Sequence, residues 1–174
     1  TIGRDLTLDN DNRTPAGAVV TLSSLTSVGD DASIDQIANT VNATSVGLAI
    51  GGELTINDNN SLCDLNLSGL NSVASFMTIT DNYDNCVTPS FNVSNLATIG
   101  GYLAVTGNND IPALNFVALT AVSGTSGTNS SIDITNNDDL MTSVSFPALN
   151  TATVGEFRVS GNTSLTSVSV PMIP

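Results

Sequence analysis

The chain has 174 residues, 3 Lys plus Arg, 16 Asp plus Glu and no His, for a formal charge of −13. That balance argues against nucleic acid and anionic membrane surfaces as partners, and without His neither a Ser-His-Asp or Cys-His site nor a His-ligated metal site can form. Only 11% of residues are charged, while Ser plus Thr number 43 and Asn 21, so the surface is polar without being ionic.

In chain order, one phrase recurs. A weak copy opens the chain at Ile2-Gly-Arg-Asp-Leu-Thr-Leu-Asp-Asn-Asp11. Clearer copies run Ile50 to Asn59, Val73 to Asn82, Ile99 to Asn108, Ser131 to Asn137 and Val154 to Asn162. Counted between Asn59, Asn82, Asn108, Asn137 and Asn162, the spacings are 23, 26, 29 and 25 residues. Five and three positions before each Asn stand Leu54/Ile56, Met77/Ile79, Leu103/Val105, Ile132/Ile134 and Phe157/Val159. This alternation puts each pair on one side of a short strand. A second apolar set follows each Asn, such as Leu62, Leu65, Leu67 and Leu70, or Ile111, Leu114, Phe116 and Leu119. Each repeat therefore carries at least two strands separated by Asn/Asp/Gly turns.

A repeat this short that cannot bury its own apolar face is one coil of a solenoid. The expected fold is all-β: a right-handed parallel β-helix of about seven short coils, one domain over residues 1–174. At about 4.8 Å per coil the rod would be roughly 34 Å long. Residues 28–50 retain Ala32/Ile34 and read as a degenerate coil, and the polar run 123–130 reads as an inserted loop. No run of apolar residues is long enough to span a bilayer. The chain shows no starting Met or signal peptide and reads as a mature or excised segment.

The five Asn at one offset predict a ladder. An inward amide both donates and accepts, so stacked Asn side chains can satisfy turn backbone groups that no sheet pairs. Cys63 and Cys86 each lie four residues after a ladder Asn, at equivalent places in consecutive coils. Stacked positions fall within disulfide reach, and a structural disulfide points to an oxidising compartment. Seven Asn-X-Ser/Thr sequons are present. Asn12, Asn42, Asn66, Asn92 and Asn129 are the expected N-glycosylation sites. Asn59 is disfavoured because the ladder hides it, and Asn162 stays open. Asp84, Asp110 and Asp139 each follow a ladder Asn by two residues. A calcium ion could neutralise such a column; the favoured reading is a solvated turn edge, with no metal and no cofactor.

The pattern Ile/Val-Gly-Gly-X-Leu-X-Ile-X-X-Asn followed by Leu-X-X-Leu-X-Leu-X-X-Leu resembles the receptor L-domain-like solenoids. These occur in insulin- and EGF-receptor ectodomains, in fungal GPI-anchored cell-wall proteins and in microbial surface proteins. The resemblance covers Ile2 to Ile173, least well over 28–50. It implies a right-handed β-helix, secretion and N-glycosylation. The cysteine-rich modules of animal receptors and a C-terminal GPI signal are missing from this sequence.

The functional expectation is a non-enzymatic extracellular building block of a surface layer, wall or filament. Both chain ends lack a capping element, so the expected partner is a second copy stacked end to end. The alternative is a cell-surface adhesin or receptor-type binding module. The outward column Asn57, Thr80, Thr106, Thr135 and Ser160 raises ice binding as a remote third reading, weakened by its companion Thr55, Thr78, Ala104, Asp133 and Arg158, which is neither flat nor uniform.

Overall fold

The computed structural model describes residues 1–9, 19–36, 40–82, 86, 88–124, 131–137, 141–150 and 154–171. Every assigned element is a strand of two to four residues, and every pairing between strands is parallel. The strands form a seven-stranded sheet, a five-stranded sheet, and a four-stranded sheet followed along the axis by a three-stranded one. The chain visits the three sides in turn, so each neighbour in a sheet comes from the next coil. The seven rungs of the long sheet bound six complete turns. This is a parallel β-solenoid.

Strict alternation builds the long sheet. Leu6, Ala32, Leu54, Met77, Leu103, Ile132 and Phe157 are in register, as are Leu8, Ile34, Ile56, Ile79, Val105, Ile134 and Val159. Both columns point inward, and the five middle rungs of each are buried. The second apolar set supplies the next wall, with Val20, Val41, Leu65 and Phe91 in register. Phe116 and Phe146 stack inside the rod with centroids 4.8 Å apart.

A third wall completes each coil. Its strands are short, for example Ser27–Val28, Thr98–Ile99 and Ala121–Val122. They bury Val28, Ile50, Val73, Ile99 and Val122; Ile50, Val73 and Ile99 are the residues that open their repeat phrases. The glycines that follow permit close stacking there. A Cβ on Gly51 would strike the Gly29 carbonyl, and one on Gly100 the Ala74 carbonyl.

Residues 28–50, expected to be a degenerate copy of the repeat, carry a strand on each of the three walls. Ala32–Asp35, Thr40–Asn42 and Leu48–Ile50 all pair with the coils on both sides. Val28, Ile34, Val41, Ala43, Leu48 and Ile50 are buried. The coil lacks an Asn at the ladder offset, so counting from that column hid its regular spacing. Of the expected loop at 123–130, residues 125–130 lie outside the described residues, as do residues 37–39.

Candidate functional site: the asparagine ladder and the sequon face

The turn after each long-sheet strand uses one backbone device. Gln36, Asp58, Asp81 and Asn136 have φ between 50° and 56°, and Gly107 and Gly161 have φ of 68°. Each of the last five immediately precedes a ladder Asn. A left-handed residue there reverses the chain and turns the next side chain inward. Asn, Asp and Gly tolerate that conformation best.

The inward side chains form a continuous ladder. The Asn59 amide nitrogen lies 2.8 Å from Asn82 Oδ1, 2.8 Å from the Asn57 carbonyl and 3.0 Å from the Ile34 carbonyl of the preceding coil. Asn82 repeats the pattern onto Asn108 Oδ1, Thr80 O and Ile56 O. Asn108 donates to Asn137 Oδ1, Thr106 O and Ile79 O. Asn137 donates to Asn162 Oδ1, Thr135 O and Val105 O. The backbone N–H of each donor Asn also reaches the next coil's Oδ1, at 2.9 to 3.1 Å. One amide therefore ties three coils. Asn59, Asn82, Asn108 and Asn137 are buried, so an unmade bond would leave orphaned groups away from water. Asn162, at the far end, is half-buried, and its nitrogen donates to the Ile134 carbonyl at 2.9 Å.

Cys63 and Cys86 are joined by a disulfide across consecutive coils, with Cα atoms 5.5 Å apart. The Cys86 N–H donates to Asp110 Oδ2 at 2.7 Å, so this carboxylate also braces the next coil. Asp84 and Asp139 lie outside the described residues, and no group of three or more Asp, Glu or Cys able to hold a metal occurs among the described ones.

The sequons separate by the duty of their amides. Asn59 and Asn162 belong to the ladder, where the nitrogen is engaged. Asn42, Asn66 and Asn92 are half-buried on the outside of the four-stranded sheet, in register on three consecutive rungs. Their alternating neighbours Val41, Leu65 and Phe91 point inward. Asn66 Oδ1 accepts the Ser68 N–H at 3.2 Å and Asn92 Oδ1 the Ser94 N–H at 3.1 Å. Neither nitrogen makes a hydrogen bond among the described residues. Asn12 and Asn129 lie outside the described residues.

Several surface features escaped sequence reasoning. Phe76 and Tyr102 project outward from adjacent rungs and stack, with centroids 4.9 Å apart and planes 9° from parallel. They continue the column begun by Asp31 and Glu53. Partial burial, and then the nearby Asp31 carboxylate, push the Glu53 carboxyl up. Burial, and then Glu53, raise the Tyr102 phenol. Asp133 faces outward by alternation, yet it is buried; one oxygen lies 3.6 Å from Arg158 and the other has no hydrogen-bond partner among the described residues. Near the first rungs, desolvation and the carboxylates of Asp9 and Asp58 raise Asp35.

Short parallel rungs, a buried Asn column and inter-coil bracing define a β-solenoid scaffold. Residues 71–171, more than half of the chain, match the family model described as Receptor L domain. The chain belongs to that family. No curated protein and no solved structure matches it. Among the described residues, no helix is long and apolar enough to cross a membrane.

Proposed function

We propose that this chain is a non-enzymatic, secreted, N-glycosylated β-solenoid that serves as a structural building block of a surface layer, wall or filament. The observation that carries this reading is the continuous inter-coil bracing. Amide ladder and disulfide hold successive coils in one register, which suits a load-spreading rod better than a hinged cleft. The disulfide supports an oxidising, extracellular setting, as does family membership. One cavity near the first described coils, of about 20 Å³ and lined by apolar side chains such as Leu22, Ala32 and Leu48, is too small for a substrate.

End-to-end association with a second copy belongs to the same reading. Val168 and Val170 are exposed on the last rungs, and Leu6, Leu22 and Leu25 are only partly covered on the first. Electron microscopy of native material tests both parts. Fibres or ordered layers whose repeat matches the rod support them. A dispersed protein that stays monomeric on concentration contradicts them.

The family match favours a second reading, a ligand-binding module of the cell surface. Its most distinctive outer feature is the Phe76–Tyr102 stack beside Glu53. Capture of a defined extracellular protein that is lost in Phe76→Ser/Tyr102→Ser, with the thermal midpoint unchanged, would favour binding over structure.

A further inference from the structure

The three outward sequons of the four-stranded sheet cannot be read one at a time. Asn42, Asn66 and Asn92 are 24 and 26 residues apart in sequence, yet strand register brings them to consecutive rungs of one column, about 4.8 Å apart. A chair-form pyranose with its acetamido group, followed by branched arms, needs more lateral room than one rung allows. Two rungs, roughly 9.6 Å, separate Asn42 from Asn92.

The outer two sites each have an open side. Asn42 is flanked on the N-terminal side by Thr21, a small hydroxyl. Asn92 lies on the last strand of its sheet, where the hydrogen-bonded ladder stops before the three-stranded sheet begins. Asn66 has a sequon on both sides. The side-chain geometry is otherwise equivalent for Asn66 and Asn92: each parks its oxygen on the N–H two residues ahead and leaves the nitrogen unengaged among the described residues.

We propose that N-glycans on this column are mutually exclusive between adjacent rungs, so that a folded, secreted molecule with sugar at Asn42 or Asn92 leaves Asn66 bare. The inference rests on the glycoprotein reading above. The modification is transfer of an oligosaccharide from a polyprenyl pyrophosphate donor. A bond forms from the Asn nitrogen to the anomeric carbon as the bond from that carbon to the pyrophosphate oxygen breaks. The pyrophosphate leaves with the electron pair, and the amide nitrogen gives up one proton. Transfer to the extended chain can reach all three sites, because nothing stacks them before folding. Exclusion acts when coils stack: a chain with sugars on adjacent rungs cannot close the four-stranded sheet in register and is held back from secretion. The surviving pattern turns this wall into a glycan face and leaves the long sheet uncovered by it.

The test is site-resolved glycopeptide and intact-mass analysis of the full chain secreted from a eukaryotic host. Wild type is compared with Thr44→Ala/Ser94→Ala, which removes the outer two sequons while keeping both asparagines and the Ser94 N–H. The expected result is sugar at Asn42 and Asn92 in wild-type molecules whose Asn66 is bare, with Asn66 at least several-fold more occupied in the double variant. Single molecules carrying sugar on Asn66 together with Asn42 or Asn92 would overturn the proposal. So would an Asn66 that stays bare in both proteins, since the cause would then be local to that sequon. Sugar on none of the three would instead overturn the glycoprotein reading itself.

Discussion

The first two rungs and the laddered coils share a backbone path but are held together differently. From Asn59 to Asn137 each turn has a buried amide that bonds its own coil and both neighbours. In the coil before, the offset equivalent to Asn59 falls on Ile37, outside the described residues. There the visible bracing is peripheral: Gln36 donates to Asp58 at 2.9 Å from a half-buried position. Packing is thinner too. Ala32 and Ala43 replace larger residues, a cavity of about 20 Å³ remains beside them, and Leu6, Leu8 and Val20 are only partly covered. Asp35 adds one carboxyl oxygen, Oδ1, buried without a hydrogen-bond partner among the described residues. The lesson is that apolar alternation suffices to make a coil, while the amide column makes it cooperative with its neighbours.

The largest expected effect breaks the column in the middle. Asn108→Ala removes the acceptor used by the Asn82 amide and backbone and the donor used by Ile79 O and Thr106 O. At about 1–3 kcal/mol for each orphaned buried group, the loss should be roughly 3 kcal/mol or more, read as a lower urea midpoint. A change within 0.5 kcal/mol would show that the ladder adds little to packing.

Next comes the covalent brace. Cys63→Ala/Cys86→Ala opens a crosslink spanning 23 residues. The loop-entropy relation gives roughly 3 kcal/mol, without loss of the fold. Alkylation of both thiols in the unreduced native protein would contradict the bond.

A matched pair of truncations compares the two regions directly. Ile34 and Ile79 hold the same inward position on different rungs, and both are buried. Ile79→Val should cost about 1 kcal/mol, and Ile34→Val nearer 0.5, because the looser coil relaxes around the missing methyl. Equal costs would mean that packing density does not distinguish the regions.

The smallest effect concerns charge. Asp35 has its carboxyl raised by burial and by Asp9 and Asp58, so the folded state binds its proton more readily than the unfolded state does. Stability therefore rises as pH falls from neutrality towards the carboxylate range and declines as pH rises through the folded pKa. Asp35→Asn should stabilise the protein at pH 7 by at most about 1 kcal/mol and flatten that pH dependence. A destabilised variant would mean that the hydrogen bonds to Asn57 and to the Gln36 backbone outweigh burial and repulsion.

Much of this was legible in the sequence because residue and role repeat together. Alternation placed Leu54/Ile56 and their equivalents inward, and the Asn column and the two cysteines fell at constant offsets. The third wall was harder to read, since strands of two residues such as Thr98–Ile99 are too short to show alternation. Residues 28–50 read as a degenerate copy in sequence because Val41, Ala43 and Leu48 sit at spacings that only strand register reveals. The Phe76–Tyr102 stack was hidden because aromatic residues usually read as core, and the burial of Asp133 because alternation alone places it outside.

The central claim is that the amide column, more than the apolar face, makes the coils one cooperative unit. Native-state hydrogen exchange of backbone amides tests it most directly. The N–H groups of Asn59, Asn82, Asn108 and Asn137, each bonded to the next coil's Oδ1, should exchange only through global unfolding. Those of Leu6 and Gly29 in the first rungs, bonded to Asp31 and Ile2 carbonyls, should exchange through local opening at lower free energy. Uniform protection along the rod, or ladder amides that open before the first rungs, would contradict the account.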